Sequence, residues 1–124
     1  MRVVFDSNIF VSALVLPGGR ADEALLKVIA GKDELVLSKP ILHEVLSVLA
    51  RKFARDKEEL ARLAVFLSDL GETIHPRRRL RVLADDADNR VLECAVAGKA
   101  ALIVTGDRAM LRLEQYKSVR IVSL

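Results

Sequence analysis

Met1-Arg2-Val3-Val4-Phe5-Asp6-Ser7-Asn8-Ile9-Phe10 opens the chain. Arg2 to Phe5 is a short, β-branched apolar run that reads as a buried strand beginning almost at the first residue. A carboxylate, a hydroxyl and a carboxamide follow where that strand must end. The apolar run from Ile9 to Leu16 leaves no room for a long loop. In a parallel sheet Asp6 then stands at the carboxyl end of a central strand, the edge at which open α/β sheets hold their ligands. The pattern returns late in the chain, where Ala101-Leu102-Ile103-Val104 reads as a second buried strand closed by Thr105-Gly106-Asp107. Both strands end in an acid.

Between them the punctuation is regular. Pro17-Gly18-Gly19-Arg20 is a loop. Ala24, Leu25, Val28 and Ile29 fall at helical spacing before a stop at Gly31. Leu35-Val36-Leu37 is a buried-strand candidate, and Ser38 is placed to cap a helix that tolerates Pro40 in its first turn and runs to about Phe53. Ile41, Val45, Val48 and Leu49 form the stripe of that helix. Leu60, Leu63 and Leu67 mark another, from Asp56 or Lys57 to Gly71, whose stripe suits either core or a subunit interface. Thr73-Ile74-His75 reads as a strand that Pro76 stops. After the Arg77–Arg81 patch and the acidic turn Asp85 to Asn89, a helix through Val91, Leu92, Ala95 and Val96 ends at Gly98. A short helix from Arg108 to Leu113 and a strand at Val119–Val122 complete the chain. Strands alternating with helices give the α/β class, with a mostly parallel central sheet and helices on both faces.

The 124 residues suit one domain over 1–124, and a hydrophobic share of 52% beside 30% charged residues is that of a folded chain, not a disordered one. No apolar run reaches the length of a membrane span, and Asp6 interrupts any secretory-signal pattern. The single cysteine, Cys94, cannot form an internal disulfide and reads as a small buried hydrophobe, which fits a reducing cytoplasm. A net charge of +3 permits an anionic partner such as RNA. With four Phe, one Tyr and no Trp, a stacking platform for bases is not expected.

Two further acids lie beside apolar stripes. Glu44 flanks Ile41 and Val48 on its helix, and Asp88 stands in the first turn of the Val91–Val96 helix. Four acids from four segments can thus meet over one sheet edge. Two unit charges about 4 Å apart repel by roughly 4 kcal/mol at an effective dielectric of 20. Such a cluster must share protons or bind a cation. Oxygen ligands favour Mg²⁺ or Mn²⁺ over zinc, and such ions serve phosphodiester hydrolysis.

Four pieces in order resemble the PIN-domain family, of the VapC-like kind that forms the toxin half of toxin–antitoxin pairs. They are Val3-Val4-Phe5-Asp6-Ser7-Asn8, the Glu44 helix, Asp88-Asn89 with Leu92-Glu93-Cys94-Ala95, and Leu102-Ile103-Val104-Thr105-Gly106-Asp107. The resemblance implies a three-layer α/β/α sandwich and a metal-dependent ribonuclease. On it, Asp6, Glu44, Asp88 and Asp107 are the catalytic, metal-site acids, with Ser7, Asn8 and Thr105 as polar supports. It also implies a cognate antitoxin and a homodimer. Many relatives carry another acid just after the last aspartate, whereas Arg108-Ala109-Met110 has none.

Ordinary roles stay open to the same residues. Asp6 also reads as a turn aspartate at a strand end, Asp88 and Asp107 are each placed to cap a helix, and Glu44 suits the dipole of an early helical turn. Arg77, Arg78, Arg79 and Arg81 are candidates to grip RNA phosphates, or simply a solvated face. His43 and His75 lack ligand-spaced partners and read as surface or boundary residues, and Glu93 reads as solvent-exposed. Three other functions compete: a catalytically inactive PIN-like RNA or protein interaction module, an aspartate-based phosphotransfer domain, and a DNA-directed nuclease. The phosphotransfer reading lacks the second aspartate that a phosphatase pair would place near Asp6.

Overall fold

A computed structural model describes residues 1–124. The strands are β1 (Arg2–Phe5), β2 (Glu34–Ser38), β3 (Glu72–Ile74), β4 (Leu102–Val104), β5 (Gln115–Tyr116) and β6 (Val119–Val122). The helices are α1 (Ser7–Val15), α2 (Arg20–Ile29), α3 (Lys39–Phe53), α4 (Lys57–Leu70), α5 (Asp86–Ala97) and α6 (Arg108–Leu113). One sheet holds all six strands in the order β3-β2-β1-β4-β6-β5. Every pairing is parallel except β5 with β6.

β1 and β4, the strands whose ends carry Asp6 and Asp107, are therefore the central pair. Their register sets Phe5 opposite Val104, and the Asp6 amide donates to the Val104 carbonyl at 3.1 Å. The residues that follow the two strands are side by side as a result. Period-2 alternation divides the apolar positions between two faces. Val3, Phe5, Leu102 and Val104 face a recess shared with Arg20, Glu23, Ala24 and Lys27 of α2. Val36 faces the other way, against Gly98 at the end of α5, where an added Cβ would strike its side chain. Helices thus cover both faces, and one apolar core runs through the sheet. Phe5 and Phe10 meet edge to face inside it, with ring centroids 5.4 Å apart.

Local signals account for most boundaries. Gly31 has φ +77, the left-handed conformation that ends α2 at little cost. Pro40 sits in the first turn of α3, where its missing amide hydrogen is no loss. Asp56 caps α4 by accepting from the Glu59 amide at 2.8 Å. Leu67 is fully buried, while Leu60 and Leu63 pack on the core and line an open groove with Leu14, Leu49 and Phe66.

Two expectations need correction, and one strand is new. Ser38 occupies the cap position of α3, but its buried hydroxyl makes no capping bond. Pro76 stops β3 earlier than His75, and the strand is Glu72–Ile74. The two-residue β5 forms a hairpin with β6 that no sequence pattern announces, since Gln115-Tyr116 has no apolar period of its own. No helix is long and apolar enough to cross a membrane.

Candidate active site at the carboxyl edge

Asp6 is 4% exposed and joins β1 to α1. Its Oδ1 accepts from the Ile9 amide at 3.0 Å, capping the helix, and its Oδ2 accepts from the Thr105 hydroxyl. Capping and site-building coexist in one carboxylate. Burial pushes the Asp6 carboxyl above its ordinary range. The Thr105 bond and the helix amides pull it down, while the Asp107 charge adds to the rise.

Thr105 links the two strand ends. Its hydroxyl donates to Asp6 and accepts from the Asp107 amide at 3.0 Å. Asp107 caps α6, its Oδ1 accepting from Ala109 and Met110 at 2.8 and 3.3 Å.

Asp88 behaves otherwise. The capping role at α5 belongs to Asp85, whose Oδ1 accepts from the Ala87 amide at 2.8 Å. Asp88 is freed from that duty and turns inward, 8% exposed, with an Oδ2 that has no hydrogen-bond donor. Its carboxyl is pushed up to about 7, first by burial, then by the Asp107 carboxylate, and further by Asp85 and Asp6. Asp107 is itself an acceptor, so the approach of these two acids is satisfied only by a shared proton or a cation.

Glu44 and Ser7 line an adjoining recess with Pro40, Ala87 and Arg90. The tertiary structure thus gathers Asp6, Asp88, Asp107 and Thr105, and sets Glu44 and Ser7 beside them. Asn8 is not gathered in. It is exposed, and its side chain makes no hydrogen bond, because the first turn of α1 carries it away from the strand end.

A sequence model described as the PIN domain matches residues 2–109. The chain belongs to the PIN-domain family. A relative from Methanocaldococcus jannaschii, described as an uncharacterised protein, is 30% identical over 117 residues, spanning 91% of this chain and 75% of its own. Among solved structures, VapBC2 from Rickettsia felis, described as bound to a DNA fragment from its promoter, superposes with a TM-score of 0.70. That match has 18% identity and covers 100% of this chain and 99% of the other. VapBC-1 from nontypeable Haemophilus influenzae gives a TM-score of 0.64 at 16% identity, covering 98% and 96%. The chain therefore has the VapC-like PIN fold.

The donor set of this PIN domain suits a hard cation: all carboxylate oxygens, one of them orphaned, with like charges pressing on each other. The ligand set is not closed as it stands, since no three His, Cys, Asp or Glu side chains are poised to hold one ion. Asp6 and Asp107 both direct an oxygen to helix amides instead.

Two residues of the PIN domain carry more than their sequence suggests. Glu93 is not solvent-exposed but 6% exposed, paired with Arg90 at 2.7 Å and accepting from the Leu80 amide at 2.8 Å. Asn89 accepts from the Val82 and Leu83 amides at 3.1 and 2.9 Å and donates to the Leu83 carbonyl at 2.8 Å. Together they fasten the irregular segment ahead of α5 to that helix. Their i, i+4 spacing, beside a segment with no secondary structure, is the signal for this. Of the arginines in that segment, Arg77 and Arg78 line one recess and Arg79 another, and Arg81 is exposed. His43 and His75 are exposed. Cys94 is fully buried, and burial pushes its thiol up to about 12.

Proposed function

We propose that this PIN domain is a Mg²⁺- or Mn²⁺-dependent endoribonuclease, the toxin half of a toxin–antitoxin pair with a cognate antitoxin. The coarse part of this reading, a PIN-type nuclease, rests on family membership. The observation that carries the finer part is the orphaned, charge-pressed Asp88 carboxylate beside Asp6 and Asp107.

Asp6, Asp88 and Asp107 would hold the ion, and Glu44 would complete the acidic site directly or through water. A bound ion would supply neutralisation of phosphate charge and activation of water. The chain's own residues do the remainder. Thr105 fixes the rotamer of Asp6, and the Ile9 amide holds its other oxygen. Asp88 keeps one oxygen free of donors, which would leave it available to a ligand. Glu44, which lines the neighbouring recess with Ser7, would orient a water there. A homodimer accompanies the reading.

Asp6→Asn tests it. Cleavage of a panel of RNAs with Mn²⁺ is expected to fall to the EDTA background while circular dichroism stays unchanged. Retained, EDTA-sensitive cleavage by Asp6→Asn would overturn the assignment. Cleavage of branched DNA in preference to RNA would favour the DNA-directed alternative.

A further inference from the structure

We propose that the recess beyond Arg90 is a phosphate-binding subsite for the RNA strand that enters the acidic site, an inference that rests on the nuclease reading above. The recess, of about 250 Å³, is lined by Ser38, Lys39, His75, Arg79, Arg90 and Glu93, among others. It lies at the carboxyl ends of β2 and β3, the same sheet edge as Asp6. Pro40 and Arg90 form part of its wall and also part of the wall of the recess that holds Ser7 and Glu44. The two spaces are therefore contiguous, and a chain leaving one enters the other.

Its chemistry is that of an anion site. Lys39, Arg79 and Arg90 stand against one carboxylate, Glu93, whose Oε2 is already engaged by Arg90 and the Leu80 amide. Two buried donors in the lining lack acceptors. Ser38 is 1% exposed, and its hydroxyl has no hydrogen-bond partner beyond its nearness to the weakly polar Cys94 thiol. The Arg90 Nε is likewise buried and unpartnered. Buried donors without acceptors are costly, and the oxygens of a phosphate answer both. The first turn of α3 adds its dipole, with no side-chain cap to compete. A backbone phosphate one or two nucleotides from the cleaved bond fits this combination. Such contacts position the strand without reading its sequence.

The test compares two charge-matched double variants in steady-state cleavage of a labelled single-stranded oligoribonucleotide with Mn²⁺. Lys39→Ala/Arg79→Ala removes two exposed cations of the recess. Arg51→Ala/Lys52→Ala removes the same charge from the far end of α3, roughly 20 Å away along the helix. The recess pair is expected to raise KM about tenfold with kcat unchanged. It should also reduce the slope of log(kcat/KM) against log salt by about 0.7, the share of the one single-strand phosphate that no longer meets its cations. The distal pair leaves both unchanged. Equal effects from the two pairs, with wild-type cleavage intact, overturn the subsite alone. No RNA cleavage by the wild type overturns the nuclease reading and the subsite with it.

Discussion

At the amino edge of the sheet, Arg2 reaches across three strands. Its Nη1 donates to Glu34 at 3.0 Å and Glu72 at 2.9 Å, and its Nε and Nη2 hold the Gly98 carbonyl at 3.0 and 2.8 Å. At the carboxyl edge, Asp6, Asp88 and Asp107 press on one another without a cationic side chain between them, and Arg90 is committed to Glu93. One edge neutralises its charges from within the chain, and the other leaves its acids to share a proton or meet a cation. Stability explains the first arrangement. It does not explain the second, since burying like charges is unfavourable; under the proposed function a bound cation is the physical reason for the difference.

Substitutions at either edge put this difference at risk. The largest effect after Asp6→Asn is expected at Thr105. Thr105→Val keeps the shape but removes the hydroxyl that orients Asp6, and cleavage or metal affinity should fall about 10- to 100-fold with little change in secondary structure. Isothermal titration with Mn²⁺ measures this separately from turnover. An unchanged affinity would show that Asp6 needs no support.

Asn89→Ala should leave the amides of Val82 and Leu83 without acceptors and lower stability by about 2 kcal/mol, read in urea unfolding. Its neighbour should respond in the opposite sense. Asp88→Asn, one residue away, should stabilise the metal-free protein because it removes a repelled charge instead of a satisfied partner.

The pH dependence follows from the same residue. With its carboxyl at about 7 in the folded chain and near 3.8 when unfolded, Asp88 holds its proton more tightly in the folded state. Its contribution to stability is complete below about pH 4 and is lost as pH rises towards 7. The Tm of the metal-free protein should therefore decline between about pH 5 and 7.5, Asp88→Asn should flatten that decline, and Mn²⁺ should raise Tm most at the upper end. A Tm that climbs over this interval would contradict the carboxyl's elevation. The smallest effect belongs to the other edge. Arg2→Gln should lower Tm slightly, and less still in high salt, because its carboxylate partners Glu34 and Glu72 are exposed and screened.

Much of the architecture is legible in single stretches. Val3-Val4-Phe5 and Ile103-Val104 are strands because β-branched and aromatic residues there have only a sheet interior to fill, and Gly31 and Pro40 mark helix ends by backbone geometry alone. The hairpin strand β5 is not legible, because two residues carry no period and Gln115-Tyr116 is a strand only by pairing with β6. The burial of Glu93 is hidden for a related reason. A carboxylate next to an apolar stripe is expected in water unless a partner is known, and Arg90 with the Leu80 amide supplies one only after folding.

Element order, the α/β class and the acids at the strand ends follow from the chain alone, because they depend on periodicity and on residues adjacent in sequence. Which acid caps and which is left to its neighbours' charge is settled only by folding. Asp85 takes the helix end and Asp88 the interior, a choice made by the packing of α5 across β1, β2 and β4 and not by either residue's chemistry. The meeting of Ser38, Lys39, Arg79 and Arg90 around one recess is likewise tertiary, since strand register and helix docking alone bring such distant residues together.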